Sequence, residues 1–274
     1  MIRIVGVHGI RNYESRAASP LAAALAKAGE WRAALLGSPS CPLSSGDFEL
    51  DVAYYAHLLV QPGRQGSSQL DKDAAELWQR FVSDYLPPNP QGTLRSTLHT
   101  ASARLARAFG QNEKLTVALL ERFFREVAVF LRTDGDFSPK AEVLKTVGTA
   151  VQGADVVVAH SLGSIVAYEA LWKHRVELPL LVTIGSPLAM PMVFPRLTPE
   201  PIDGFGERPA GVHRWVNIAD PEDFVAMPRG GIADRFKGLD EDRLDVNGSF
   251  DRHDLFAYLR CRELGNALAP LARP

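Results

Sequence analysis

The sequence predicts an α/β protein: a mostly parallel sheet flanked by helices, with a helical insertion. Three observations carry that expectation. Short runs rich in Val, Ile and Tyr recur along the chain and stop at Gly, Pro or Asp, as strands buried on both faces do. Helical patterns separate these runs, and strand alternating with helix is the signature of parallel strands joined by crossovers. Between about Gln61 and Gly153 the alternation gives way to helical patterns alone. The 274 residues are 46% hydrophobic and 23% charged, with a net charge of -2. That is enough chain for a large core and too apolar a composition for dominant disorder. The reading is a single domain over 1–274, with 61–153 inserted into it.

The elements follow in order. Ile2–Val7 is the first strand and stops at His8-Gly9. Leu21–Gly29 is an alanine-rich helix, and Leu50–Ala56 is the second strand. In the insertion, Leu70, Ala74, Leu77, Trp78, Phe81, Val82 and Tyr85 share a helix face that stops at Pro87-Pro88. Leu94, Leu98, Ala101, Leu105 and Phe109 form a second such face, and Leu115, Leu119, Phe123, Val127, Phe130 and Leu131 a third. A shorter helix at Ala141–Val151 leads back to the sheet. The insertion reads as a lid over the carboxyl edge of the sheet. Its last two helices read equally well as the crossovers that parallel strands require. Val156–Ala159 and Leu180–Ile184 are the next strands, with the helix Ser164–His174 between them. Trp215–Ala219 is the fifth strand, and a final helix carries Leu255, Phe256, Tyr258 and Leu259.

Several function classes fall away on composition. Thirty basic against 32 acidic residues leave no global positive field, so nucleic acid is not expected as a partner. Cys41 and Cys261 show no metal-ligand spacing; they could pair with each other, but buried or idle thiols in a reducing compartment are the expected state. The amino terminus lacks the apolar stretch and cleavage site of a signal peptide, and no run reaches membrane-spanning length. The cytoplasm is therefore the expected location. No ligand cluster or phosphate-binding glycine loop implies a metal or an organic cofactor.

The sharpest chemical signal is Val156-Val157-Val158-Ala159-His160-Ser161-Leu162-Gly163-Ser164. A strand runs directly into a tight turn with serine at its apex, and a helix follows at once. Small residues at Ala159 and Gly163 allow the close approach that a strained serine turn needs, and a helix amino terminus favours negative charge developing there. A serine helix cap is the plainer alternative, but it requires neither the preceding strand nor small residues on both sides. A nucleophilic serine needs a base, and the base needs an orienting carboxylate. Of the histidines after Ser161, His174 lies far along the following helix and His213 precedes a strand at the wrong end of the sheet. His253, on the polar loop Asn247–Asp254 that opens the last helix, is the expected base. The acid is expected just past Trp215–Ala219, where Asp220, Glu222 and Asp223 lie. Asp223 is preferred, because it stands beyond the Asp220-Pro221 turn with Phe224 and Val225 to anchor it. Asp220 is the alternative acid, although a residue ahead of proline more often bonds its own turn. Glu222 is expected to face away. Two backbone donors for an oxyanion are expected at Leu162 and, on the loop leaving the first strand, at Ile10. Gly9 lets that loop turn under a substrate. His8, His160 and Gly163 are read as supporting residues.

These segments together resemble the α/β-hydrolase superfamily, and within it the lipase and esterase group. Val7-His8-Gly9 resembles the oxyanion-loop signature, and Ala159-His160-Ser161-Leu162-Gly163 resembles the Gly-His-Ser-x-Gly elbow, with alanine for the first glycine. Thr183-Ile184-Gly185-Ser186-Pro187-Leu188 resembles the strand that follows, and Asp220-Pro221-x-Asp223-x-Val225 the acid loop. The resemblance implies an α/β-hydrolase sheet and a Ser161-Asp223-His253 triad that works through an acyl-enzyme. The apolar faces of the inserted helices favour a small-molecule acyl or lipid-like substrate, and are equally consistent with ordinary core. Fold alone does not choose among ester, thioester and amide cleavage, or between hydrolysis and acyl transfer. A non-catalytic binding module retaining the fold is the reading from another class.

Overall fold

A computed structural model of the chain describes residues 1–60, 68–85, 113–132, 138–226, 228, 230–245, 247–249 and 251–272. The strands are β1 (Ile2–Val7), β2 (Phe48–Ala53), β3 (Val156–His160), β4 (Leu178–Ile184), β5 (Gly206–Glu207), β6 (Val212–Ala219), β7 (Phe236–Lys237) and β8 (Glu241–Leu244). Among the described residues, the α-helices are α1 (Pro20–Leu36), α2 (Ser68–Tyr85), α3 (Glu113–Leu131), α4 (Lys140–Ala150), α5 (Leu162–His174), α6 (Leu255–Arg260) and α7 (Arg262–Leu268). A six-stranded, all-parallel sheet in the order β2-β1-β3-β4-β6-β8 forms the centre, and β5 and β7 make a separate two-stranded ribbon. The class is the expected one.

Alternation along the strands builds two cores. Ile4, Val156, Val158, Leu180, Val182, Val216 and Ile218 face a layer formed by α1, α6 and α7. Val5, Val7, Val157, Ala159 and Leu181 face the opposite layer, which contains α4 and α5 and joins the core of α2 and α3. Successive strand side chains point to opposite faces, so strands covered on both sides must be apolar throughout. Close packing explains one glycine: a Cβ at Gly6 would stand 2.7 Å from the Trp31 ring of α1.

The boundaries differ from expectation for identifiable reasons. The second strand covers Phe48–Ala53, not Leu50–Ala56, because Tyr54 and Tyr55 leave the ladder to hold the loop after β1. The Tyr55 hydroxyl donates to the His8 carbonyl at 2.6 Å, and the Tyr54 hydroxyl accepts from the Glu14 N–H at 2.9 Å. Helix α1 is longer than Leu21–Gly29, running from a Ser19 cap that accepts from the Ala22 N–H to Leu36. The sixth strand, β8, was not expected. Its sequence, Glu241-Asp242-Arg243-Leu244, carries one apolar residue, as suits a short edge strand that must not recruit another chain. Arg243 pairs with Glu263 at 2.9 Å, and Glu241 pairs with Arg214 and Arg243.

Between β2 and β3, Trp78 and Phe81 of α2 pack on Phe123 and Phe124 of α3, with ring centroids 5.3 to 5.6 Å apart for Trp78–Phe124, Phe81–Phe124 and Trp78–Phe81. The Leu94–Phe109 pattern lies outside the described residues. Helix α4 packs on α5 on one face of the sheet, with Gly148 directly under the His174 ring, and so supplies the return into parallel β3. Helix α3 instead approaches the carboxyl edge, where Glu126 accepts from the Arg11 N–H at 3.2 Å. No described helix is long and apolar enough to cross a membrane.

Candidate active site

Strand β3 ends at His160, α5 begins at Leu162, and Ser161 alone makes the turn between them, with φ 56° and ψ -131°. Side chains rarely adopt this conformation, which costs about 1–3 kcal/mol and persists only where neighbours impose it. Those neighbours are present. The Ser161 N–H donates to the Ile184 carbonyl of β4 at 3.2 Å. Its carbonyl accepts from the Ser164 N–H at 2.9 Å and the Ser164 hydroxyl at 2.7 Å. Ser164 and Ser186 share a further hydroxyl bond at 2.8 Å. A side chain on Gly163 would run into the carbonyls of Val7 and His8, so the turn tolerates little bulk. The Ser161 side chain makes no capping bond to α5, which removes the helix-cap reading.

Its hydroxyl points elsewhere. Ser161 Oγ lies 2.8 Å from His253 Nε2, and His253 Nδ1 lies 2.7 Å from Asp223 Oδ2. An ionised carboxylate only accepts, so Nδ1 carries the imidazole proton and Nε2 is left to accept from the serine. Residues 161, 223 and 253 are all buried, and Ser161 is 0% exposed. Asp223 Oδ1 accepts from the Val225 N–H at 2.8 Å, and Oδ2 accepts a second bond, from the Tyr258 hydroxyl, at 2.8 Å. His253 is set by local turn chemistry on both sides. Asp251 accepts from its N–H at 3.1 Å, and Asp254 caps α6 by accepting from the N–H groups of Phe256 and Ala257.

Of the two acids weighed from the sequence, Asp223 is the one that reaches His253. Asp220 turns its carboxylate to backbone instead, accepting from the Glu222 N–H at 2.8 Å and the Asn247 N–H at 2.9 Å. These bonds tie the loop after β6 to the loop that carries His253. Burial pushes the Asp220 carboxyl above its ordinary pKa. Glu222 faces outward, paired with Arg252 at 2.6 Å. The unexpected strand β8 also serves this loop. Asp242 accepts from Asn217 Nδ2 at 2.8 Å and from the Ile232 and Ala233 N–H groups at 2.6 and 2.7 Å.

The loop leaving β1 lies against the serine: a Cβ on Gly9 would stand 2.5 Å from Ser161 Cβ and 3.1 Å from its Oγ. His8 organises that loop. The Tyr55 N–H donates to His8 Nε2 at 3.2 Å, so Nδ1 bears the proton and donates to the Gly9 carbonyl at 2.9 Å. Its ring stacks on Tyr55, with centroids 4.2 Å apart, and burial lowers its pKa to about 3. Asn12 Nδ2 donates to the Gly9 and Ile10 carbonyls at 3.0 and 2.8 Å, and Arg11 follows with φ 64°. Ile10 is thus fixed in the loop that meets the serine. Leu162, as the first helical residue, has an N–H without a partner inside α5.

The other histidines take other roles. The His160 ring packs on His253, with centroids 4.7 Å apart. Burial, with the neighbouring His253 second, holds it well below its ordinary pKa, and its buried Nε2 has no hydrogen-bond partner. His174 lies against Gly148, and exposed His213 pairs with Glu177 at 3.2 Å at the opposite end of β6. Sequence reasoning missed Tyr258, which it counted only as an apolar helix residue. Its polar end is visible in the residue type, but its target is not. Cys41 and Cys261 are both free thiols. Among the described residues, no group of three or more His, Cys, Asp and Glu side chains could hold a metal ion.

No protein-family model, curated protein or solved structure matches this chain. A serine hydroxyl bonded to an imidazole, itself bonded to a buried carboxylate, can lose its proton to nitrogen as the oxygen attacks an electrophile.

Proposed function

We propose that this protein is a serine hydrolase that cleaves a carboxylic ester or a related acyl bond. The observation that carries the reading is the hydrogen-bonded chain Ser161–His253–Asp223, built on a serine in a strained backbone conformation. Strain of this kind lowers stability, and in native proteins it concentrates where a side chain must be aimed.

In the proposed reaction, Ser161 Oγ attacks the acyl carbon while His253 Nε2 accepts the hydroxyl proton. Asp223 holds the proton-bearing Nδ1 and stabilises the imidazolium that forms. The tetrahedral oxyanion is received by the backbone N–H groups of Leu162 and Ile10. Collapse breaks the bond to the leaving alkoxide, which takes the proton from His253, and an acyl-Ser161 ester remains. Water attacks that ester with His253 again as base, releasing the acid and restoring the serine.

The substrate we assign is a small acyl or lipid-like molecule. Ser161 is wholly covered, so a substrate must displace whatever lies over it. The α2–α3 pair is the cover we assign, because its aromatic core is continuous with Ile10 and Leu162, and Glu126 binds the loop after β1. The test is labelling by a fluorophosphonate probe, followed by turnover of p-nitrophenyl esters of increasing chain length. Wild type should label and turn over, and Ser161→Ala should do neither. A wild type inert to both would overturn the proposal.

A further inference from the structure

Tyr258 lies on α6, one turn beyond the loop that carries His253, and is 0% exposed. Its hydroxyl is used twice. It donates to Asp223 Oδ2 at 2.8 Å and accepts from the Asp220 N–H at 2.9 Å. The fold makes room for this contact. Gly185, at the end of β4, has φ +53°, and a Cβ there would stand 2.9 Å from Tyr258 Cε2 and 3.1 Å from Asp223 Oδ2. The oxygen that Tyr258 binds is the same oxygen that binds His253 Nδ1, while Asp223 Oδ1 is taken up by backbone N–H groups.

Resting on the hydrolase reading above, we infer that Tyr258 is a positioning residue of that site, a fourth link that aims Asp223 at His253 and tempers its charge. Donation into Oδ2 disperses the negative charge facing the imidazole. The carboxylate then stabilises an imidazolium less than it would without the phenol. Among the described residues, the ionisable groups around the hydroxyl and the carboxylates beside it are Asp223, Asp220, His253, Arg252, which stands 4.0 Å from Asp220 Oδ2, and His160, whose ring centroid lies 5.9 Å from that of Tyr258. Burial keeps the phenol protonated, so it remains a donor throughout the working range.

The sign of the effect separates this role from simple packing. Tyr258→Phe keeps the ring and removes the donor, so the acid limb of the kcat/KM profile should move up by roughly half to one pH unit. The plateau should fall roughly tenfold through kcat, with KM little changed. Loss of the acceptor for the Asp220 N–H also weakens the loop, so a second substitution is needed that keeps both bonds. Site-specific 3-fluorotyrosine at position 258 is a stronger donor, and should move the acid limb down. The His253 imidazole titration, followed by NMR in Ser161→Ala, should shift in the same two directions and needs no turnover. Opposite shifts from the two substitutions are the expected result. An unmoved His253 titration in both would overturn the role of Tyr258 while leaving wild-type labelling intact. A wild type that neither labels nor turns over would instead sink the hydrolase reading, with the NMR shifts still deciding Tyr258.

Discussion

Gly9 sits against Ser161 so closely that a Cβ on the glycine would stand 2.5 Å from the serine Cβ. The backbone of Gly9 lies outside the left-handed region, so what the position needs is space and not conformational freedom. Gly9→Ala should therefore fold, because the loop is still held by His8, Asn12 and Tyr55. The added methyl should push Ser161 Oγ off His253 and slow covalent labelling at least about tenfold. Labelling at the wild-type rate, with an unchanged melting temperature, would show that the approach has slack.

Ser161→Ala removes only the hydroxyl of the strained turn. The protein should fold and lose covalent labelling completely. Labelling at the wild-type rate would transfer the nucleophile to Ser164 or Ser186, the hydroxyls joined just behind it. Ser161→Gly should also be unreactive, and it should be more stable than Ser161→Ala by about 1 kcal/mol, since glycine adopts positive φ without the Cβ penalty. Equal denaturation midpoints for the two variants would mean that the turn stores no strain.

Asp223→Asn should leave the fold intact but favour the wrong imidazole tautomer, lowering turnover by roughly four orders of magnitude on the precedent of the serine protease triad. Asp220→Asn should act differently. Its carboxylate holds two backbone N–H groups and makes no bond to His253, so the loss should fall mainly on stability, by about 1–2 kcal/mol. Comparing kcat/KM and denaturation midpoints for the two variants checks the division. A nearly dead Asp220→Asn beside an active Asp223→Asn would reverse it.

Stability should fall with acid because His8 is buried as the neutral imidazole. Its folded pKa is lowered to about 3 from an ordinary value of 6.5. The unfolded chain therefore binds a proton in the window between those values that the folded chain does not. The stabilisation is complete above pH 6.5 and is lost as pH falls toward 3, at ~1.4 kcal/mol per unit through the middle of the window. His160, held low by burial, acts in the same direction. Urea unfolding at pH 7 and pH 5 should show the loss, and His8→Gln should flatten it. An equally steep pH dependence in His8→Gln would assign the effect to other groups.

Much of this protein is decided locally. The apolar run Val156-Val157-Val158, the serine with Ala159 and Gly163 about it, and the Asp220-Pro221 turn all act within a few residues, so periodicity and turn chemistry expose them. The class of fold follows from the same alternation. What the sequence by itself left open depends on groups that meet across long stretches of chain. Ser161 and His253 are 92 positions apart, and Asp223 and Tyr258 are 35 apart. Strand β8 carries charges where a core strand carries Val or Ile, because as an edge strand it is paired on one side only, and nothing in Glu241-Asp242-Arg243 announces that partner. The neutrality of His8, the space reserved at Gly9 and Gly185, and the complete burial of Ser161 are likewise products of packing. Burial, a shared acceptor oxygen and a steric gap belong to groups brought together by the fold, so no short stretch of chain encodes them.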